Sequence, residues 1–429
     1  MDQVRKEAEK RGDKHTRQAT GLPIIVIEYL FYWKLRYYGI TVAKRTYVWY
    51  NNLMNKAYKY RIYPSKEQEI MFAKTFGCCR KVYNLMLSDK IISYEETKTF
   101  GKHTPAMYKK EYQYLKEVDS LALANVQLNL QSAIRSCFDK SRKSRNGFPR
   151  FKSAKHSRKS YTTNNQNGTV AITGNGIRLP KTGIVKAEIH RNPDSNWKIK
   201  SVTISQDCDG RYYASVLFEY EKEVPCVSRM SSNAIGLDYK SDGLYMDSSG
   251  NAADMPKYYR EAQKKLARAQ RILARRTGNG KGETKSGNYI KQQKKVARIH
   301  KHISNQRLDT LHKKSTEIAN QYDIVCVETI NMKAMSNRSF GNGKATLDNG
   351  YGMFLNMLEY KLSDRGKYLV KVDKWYPSSQ LCSHCGRKQK IKLSNRTYRC
   401  TCGMTMDRDH NAAINILNEG LRLLRSDVA

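Results

Sequence analysis

Four cysteines crowd together near the C-terminus as Cys382-Ser-His-Cys385-Gly and Cys400-Thr-Cys402-Gly. Two such knuckles can close a tetrahedral zinc site through four thiolates, and the glycine after each lets the turn aim backbone N–H groups at sulfur. A site with all four positions filled by protein is structural rather than catalytic. The second knuckle, Cys-x-Cys, is one residue tighter than Cys-x-x-Cys, and His384 is an alternative ligand. The bland reading is four reduced thiols without a metal; against it stands the ease with which crowded surface thiols oxidise.

Three carboxylates occupy a different kind of context. Asp238 ends the apolar run from Asn233 to Tyr239, Glu328 ends the run from Asp323 to Thr329, and Asp409 opens the amphipathic segment Asp409-His-Asn-Ala-Ala-Ile-Asn-Ile416. Carboxylates at two strand ends and a helix start can converge on one sheet edge. Three there would hold two magnesium (or manganese) ions about 4 Å apart, one activating a water and the other stabilising the departing oxygen of a phosphodiester. Taken singly, Asp238 reads as a turn residue, Glu328 as a strand-end charge and Asp409 as a helix N-cap. Taken together, the three contexts favour the metal site.

The whole chain supports chemistry on a polyanion. Its 429 residues carry 78 Lys and Arg against 39 Asp and Glu, a net charge of +39, and 29 Tyr add flat hydrogen-bonding rings to that basic surface. Phosphates attract such a surface and bases stack on such rings. The length predicts two or three domains. The apolar stretch Leu22–Trp33 contains Glu28 and falls well short of the ~20 residues that cross a bilayer. No membrane contact is expected, and a cytoplasmic, nucleoid-associated protein of a prokaryote is. The other six cysteines form no disulfide-like framework.

The elements that must position these residues follow from periodicity. From Ala57 to Tyr63 side chains alternate as in a half-buried strand, Pro64 ends it, and Ser65 with Gln68 predicts a capping box for a helix carrying Ile70, Phe72, Phe76, Val82 and Met86. A second helical region is expected from Thr104 to Phe138, making a helical insert at about 65–140. Then comes a basic loop, Ser141–Lys152. Beyond it, strands near Thr169–Ile172, Ile177–Leu179, Ile184–Ile189, Lys198–Ser205 and Tyr212–Tyr220, punctuated by Gly turns, predict a small antiparallel barrel that the Ala57 strand joins. Glu221 to Ser232 reads as a linker.

The second half alternates strand and helix. The Asp238 strand has a hairpin partner at Leu244–Asp247; two long helices follow, marked by Ala262, Leu266, Ala269 and Leu273, and by Val296, Ile299, Ile303, Leu311 and Ile318. Between Lys257 and Lys314 stand 18 Lys and Arg against three acids, too few for intrahelical pairing, so phosphates or counterions must relieve the repulsion. The Glu328 strand, a Gly-rich loop, a helix near Met353–Leu362 and a strand at Tyr368–Asp373 complete an α/β pattern.

Several segments carry a resemblance. Ile235-Gly-Leu-Asp-Tyr239, Val327-Glu-Thr-Ile-Asn-Met332, Trp375-Tyr-Pro-Ser-Ser-Gln-Leu-Cys382 and Cys402-Gly-Met-Thr-Met-Asp-Arg-Asp-His-Asn-Ala-Ala-Ile-Asn-Ile416 are similar to the split RuvC nuclease signature and inserted zinc ribbon of TnpB. TnpB is the transposon-encoded family of RNA-guided nucleases, and the miniature type V CRISPR effectors are similar to it. Tyr58-Lys-Tyr-Arg-Ile-Tyr-Pro64 and Gly147-Phe-Pro-Arg-Phe-Lys152 resemble the family's N-terminal half.

The resemblance implies an α+β multidomain protein. An N-terminal antiparallel β-barrel with helical insert (54–220) would recognise guide RNA and target double-stranded DNA. After the linker (221–232), an RNase H-like (RuvC) α/β domain (233–376, closing with 407–429) would contain the basic helical pair and an inserted zinc ribbon (377–406). It implies catalytic acids at Asp238, Glu328 and Asp409, with Mg2+ or Mn2+. Asp409 is preferred to Asp407 because it lies two residues before the asparagine of Asn-Ala-Ala; Asp407 would cap that helix. Zn2+ would sit on Cys382, Cys385, Cys400 and Cys402. Candidates for nucleic-acid contact are Tyr58, Arg61, Arg150 and Lys152 in the first half, and Lys264, Lys265, Arg268, Arg298 and Arg307 in the helical pair. Residues 1–53 depart from the pattern and read as the product of a start codon assigned too far upstream, as an accessory segment or, through Tyr29–Lys34, as an extra nucleic-acid-binding helix. Oligomeric state is open between monomer and homodimer.

The expected function is RNA-guided, magnesium-dependent DNA cleavage. A cleavage-deficient RNA-guided regulator would lack one acid, and all three are present. A transposase acting by strand transfer is disfavoured by the ribbon placed just before the third acid and by the lack of a recognisable helix-turn-helix module.

Overall fold

In this computed structural model, residues 49–139, 147–277, 285–337, 343–392 and 395–426 are described. The expectation for Tyr29–Lys34, the Ser141–Asn146 part of the basic loop and the tip of the Gly-rich loop lie outside the described residues.

Strand β1 (Trp49–Tyr63) buries Tyr60 and Ile62 and leaves Lys59 in solvent. Proline follows because it cannot extend the ladder. Ser65 then starts α1 (Lys66–Thr97): its Oγ accepts from the Gln68 N–H while Gln68 Oε1 accepts from the Ser65 N–H, the reciprocal cap that the sequence predicts. Phe72, Phe76, Val82 and Met86 are buried as expected, whereas Ile70 faces solvent. The expected helical region from Thr104 divides into two 3-10 turns, Met107–Lys109 and Gln113–Lys116, before α2 (Ser120–Phe138). The division comes at Asp119, whose side chain accepts from the Leu121 N–H and begins a new helix.

Strands β2 (Lys159–Asn164), β3 (Ala171–Thr173), β4 (Gly176–Leu179), β5 (Gly183–Glu188), β6 (Lys198–Gln206) and β7 (Tyr212–Pro225) join β1 in one antiparallel sheet, ordered β2-β6-β7-β1-β5-β4-β3. Among the described residues the hydrogen-bonded order runs from β2 to β3, with no pairing between those two end strands. β1 pairs with β7 from Trp49 opposite Pro225 to Ile62 opposite Tyr212. Both strands therefore outrun their expected limits, and Glu221–Pro225 of the expected linker is strand. Its Glu-Lys-Glu composition resembles a linker, but ladder bonds use the backbone and leave those charges in solvent. β2 escaped the sequence because its buried positions, Tyr161 and Thr163, alternate with polar residues in a strand that has little apolar content.

The second sheet runs β10-β9-β8-β11-β12. Strands β8 (Ala234–Tyr239), β11 (Ile324–Glu328) and β12 (Tyr368–Val372) are parallel, and β9 (Tyr245–Asp247) and β10 (Ala252–Ala253) continue β8 antiparallel. Parallel neighbours need crossovers. Helices α3 (Tyr258–Arg275) and α4 (Gly287–Gln321) lead to β11; α5 (Met332–Met335), α6 (Gly343–Asn349) and α7 (Tyr351–Ser363) lead to β12. One face of the sheet presents Ile235, Leu237, Val325 and Val327 to Leu311, Ile318, Phe354 and Leu358. The other presents Ile324, Cys326 and Val372 to Ile416 and Leu424 of α8 (Arg408–Ser426). Between β12 and α8 lies a small hairpin, β13 (Thr397–Arg399) with β14 (Thr405–Asp407).

Candidate active site

Asp238 and Glu328 stand level on neighbouring strands. The parallel register sets Gly236 beside Cys326 and Leu237 beside Val327, so the next step sets Asp238 beside Glu328. Strand alternation puts both carboxylates on the face carrying Gly236 and Cys326, and that face is covered by α8. A Cβ on Gly236 would lie 2.2 Å from the Ala413 carbonyl oxygen, and one on Gly420 2.3 Å from Cys326 Sγ. Two glycines thus let the helix rest directly on the strands, with Ala412 and Ala413 as the small residues between. One turn before Ala413 the helix begins, and Asp409 is there.

The two aspartates of Asp407-Arg-Asp409 have different jobs. Asp407 Oδ1 accepts from the N–H groups of Asp409 (2.9 Å) and His410 (3.1 Å), which is how a side chain caps a helix. Asp409, 8 % exposed, turns its carboxylate to Arg408 Nη2 at 2.9 Å and to Arg396 Nη1 at 3.6 Å. Burial, then Glu328, then Asp409 push the Asp238 carboxyl well above the ordinary carboxylate range, with Arg408 pulling it back. Burial raises Glu328 as well. A cation would favour the ionised form of an Asp238 carboxyl that burial and two neighbouring acids push up, and oxygen donors of this kind suit Mg2+ or Mn2+.

In the ribbon, Cys382 Sγ lies 3.7 Å from Cys402 Sγ and Cys385 Sγ 3.6 Å from Cys400 Sγ, with all four within 4.8 Å of one another. Zinc–sulfur bonds of about 2.3 Å give a tetrahedral S···S edge of about 3.8 Å, so the tight Cys-x-Cys knuckle fits the ion. The Cys402 N–H, followed by neighbouring thiols, lowers the Cys400 thiol to about 6. Cys402 goes up to about 12: the Met404 N–H favours its thiolate, but Cys400, burial and the other two thiols together outweigh it. The ribbon is stapled to α8 by two buried asparagines one turn apart. Asn411 donates to the Leu381 carbonyl at 2.7 Å and accepts from the Ser383 N–H at 3.0 Å; Asn415 donates to the Ser378 and Leu381 carbonyls at 2.8 Å.

The nucleic-acid candidates fare unequally. Tyr58 is half-buried, its ring centroid 5.6 Å from those of Trp197 and Phe218, so it belongs to the rim of the first core and is no free stacking platform. Arg307 is held by Asp348, whose carbonyl and carboxylate accept at 2.8 and 2.7 Å, so it is a structural tie. Arg61 lies over the Tyr63 ring and Lys152 Nζ sits 3.7 Å from the Tyr83 ring centroid. Arg150, Lys264, Lys265, Arg268 and Arg298 are exposed. The helical pair packs through Leu266, Ala269, Ile299 and Ile303, which leaves most of its basic residues outward, Lys301 and Arg307 being tied to Asp207 and Asp348. Arg396, Arg408, Asn411 and Asn415 were missed by sequence reasoning, since no spacing distinguishes them. Gly236 had a signal: a glycine inside a strand marks a close backbone approach.

Three family models match: "Cas12f1-like, TNB domain" over residues 351–416, "Helix-turn-helix domain" over 54–99 and "Probable transposase" over 217–339. The second corrects the expectation that no such module is recognisable, although residues 54–97 form β1 and the single helix α1 rather than two helices about a turn. A Streptomyces pristinaespiralis protein named "Putative RNA-guided DNA endonuclease" is 33 % identical over 386 residues, 86 % of this chain and 90 % of that protein. "Putative RNA-guided DNA endonuclease InsQ" of Escherichia coli (strain K12) is 30 % identical over 392 residues, 86 % of this chain and 93 % of its own. The fold is similar to that of the protein in "Cryo-EM structure of the Cas12f1-sgRNA-target DNA complex", with a TM-score of 0.53 at 14 % identity over 85 % of this chain and 99 % of that one. With 86 % of its length aligning with each of these two relatives, the chain belongs to the TnpB family.

Proposed function

We propose that the chain is an RNA-guided DNA endonuclease whose RuvC-type site uses Asp238, Glu328 and Asp409 to hold divalent cations. One observation carries the reading: acids at positions 238, 328 and 409 lie close enough at one sheet edge for Glu328 and Asp409 to raise the Asp238 carboxyl. Mg2+ or Mn2+ bound there would supply a polarised water and a charge to offset the departing phosphodiester oxygen. The chain's own residues do the rest. Asp407 holds the first turn of α8, which fixes where Asp409 begins, and Arg396 and Arg408 hold its carboxylate between positive charges that also suit a phosphate. Cys382, Cys385, Cys400 and Cys402 would bind zinc and keep the ribbon folded against that helix. The exposed cations of α3 and α4 would take the backbone of guide RNA or target DNA, which fits a protein working in the cytoplasm on the nucleoid.

The relatives' names supply the RNA-guided part of this reading. A chain with a charge of +39 binds any nucleic acid at low salt, so affinity alone is no test. Sequence choice is, because base pairing reads the target while the protein reads a short flanking motif and backbone shape. Cleavage of a plasmid library by protein with its copurified RNA, then with a guide of altered spacer, should move the cut to the new match. Site-specific cutting by RNA-free protein, or a cut that ignores the spacer, would refute the proposal and favour strand transfer, the reading suggested by the transposase description over 217–339.

A further inference from the structure

The turn between β9 and β10, Ser248–Asn251, is built from within. Asp247, buried at its start, accepts from the N–H groups of Ser249 and Asn251, each at 2.9 Å, and from Asn251 Nδ2 at 3.3 Å. The Asp247 N–H donates to the Asn251 carbonyl at 2.9 Å and the Gly250 N–H to the Asp247 carbonyl at 3.1 Å, with Gly250 at φ 88°. A turn tied in this way can link two neighbours rigidly. On one side it grips β8: the Ser248 N–H donates to the Gly236 carbonyl at 2.9 Å, and Ser248 Oγ accepts from the Gly236 N–H at 3.1 Å. On the other it receives α8, where His410 Nε2 lies 3.2 Å from the Ser248 carbonyl oxygen. A carbonyl can only accept, so Nε2 carries the proton. A Cβ on Gly250 would lie 3.1 Å from His410 Cε1, so any larger residue there would press on the ring.

We infer that His410 is a positioning residue: through the Ser248 carbonyl it clamps the first turn of α8 to β8 and so fixes Asp409 against Asp238. The inference rests on the reading of Asp238, Glu328 and Asp409 as a cation site. Gly236 stands two residues before Asp238, and His410 directly follows Asp409. Gly236–Ser248–His410 is therefore a short path of hydrogen bonds between two of the elements that carry the acids. The other holds on α8 act differently. Ala413 and Leu417 rest on Gly236 from further along the helix, and the Asp407 cap shapes the first turn from within. Apolar packing has no direction, whereas a hydrogen bond weakens steeply when its angle or length changes. The His410 bond is thus a directional hold on the turn that carries Asp409. Placement matters to such a site, since a shift of about 1 Å in a positioned group can cost on the order of 10²-fold.

Mn2+ titration of the full-length protein, with free ion counted by electron paramagnetic resonance, tests this without requiring cleavage. Asp238→Asn identifies the part of the binding that belongs to the site. His410→Leu, which fills the space and drops the N–H, should raise half-saturating Mn2+ for that part by roughly tenfold. His410→Gln carries an N–H the same number of bonds from the backbone and should restore most of the affinity, with zinc content equal in the two variants. Wild-type affinity in His410→Leu, with Asp238→Asn abolishing the signal, overturns the inference and leaves the cation site standing. Equal losses in folded His410→Leu and His410→Gln overturn it as well, because the N–H would then do nothing. Wild-type binding in Asp238→Asn removes the cation site, and the inference with it. Should His410→Leu fold poorly, Nδ1-methylhistidine at 410 decides alone, since it keeps the ring and turns the Nε2 N–H into a lone pair. Weakened site binding in that folded chain is for the clamp, and wild-type binding is against it.

Discussion

The thiolate cluster and the carboxylate set are two candidate metal sites joined by one helix, and they are assembled on opposite plans. The cysteines come from two turns of a small ribbon, and their sulfurs already span the edges of a zinc tetrahedron. The acids come from two strands and a helix far apart in the chain; Asp238 is raised by burial and by the charges of Glu328 and Asp409, and Glu328 by burial. The first site is held by local turns, to which a bound zinc would add. The second is held by the packing of α8 on β8 and β11, and the ribbon reaches it through Asn411 and Asn415.

The largest effect that would test this contrast is functional. Asp238→Ala should lower cleavage by on the order of 10³-fold or more while guide RNA binding persists, because it removes a cation ligand and no contact to nucleic acid. Single-turnover cleavage and filter binding measured together check this; loss of both would mean that Asp238 supports the fold. Next, Cys382→Ser should take zinc from one ion per chain to none by elemental analysis, since binding and folding are coupled in so small a ribbon. Proteolysis should then open residues 377–406, and cleavage should fall with it through the asparagine staples. Full cleavage by a zinc-free variant would show that the two sites are independent.

Gly236→Ala strikes only the packing. Its methyl would meet the Ala413 carbonyl at 2.2 Å, so α8 must move, at a cost of about 1–3 kcal/mol in denaturant unfolding. Cleavage should drop while zinc content holds, and unchanged stability would mean that the helix sits less tightly than described. The smallest effect concerns pH. The folded-state pKa of Asp238 lies above its unfolded value, so between roughly pH 4 and that raised value the folded chain keeps a proton that the unfolded chain has released. Without divalent ions, this residue's contribution is present at low pH and is lost as pH rises through the window. Unfolding series for wild type and Asp238→Asn should therefore diverge as pH rises, with wild type the less stable, and Mg2+ should close the gap. Parallel curves would show that the carboxyl is better solvated than its surroundings indicate.

Much of this was legible before any coordinates, because it depends on residues close in sequence. The capping box at Ser65, the turns between β3 and β7, the strand runs ending in Asp238 and Glu328, and the two cysteine knuckles follow from local hydrogen bonding, side-chain alternation and turn geometry. The Asp407 cap is local in the same way. What the sequence alone left undecided depends on partners distant in the chain. Whether Glu221–Pro225 is linker or strand is settled by its pairing with residues 49–53. Whether Tyr58 and Arg307 are free for a ligand depends on Trp197 and Asp348, which no spacing rule links to them. Only the approach of α8 to Gly236 brings Asp409 toward Asp238. A chain declares its turns and periodicities by itself; which buried charges and hydroxyls meet is decided by packing, because burial and charge–charge coupling exist only between groups that the fold has brought together.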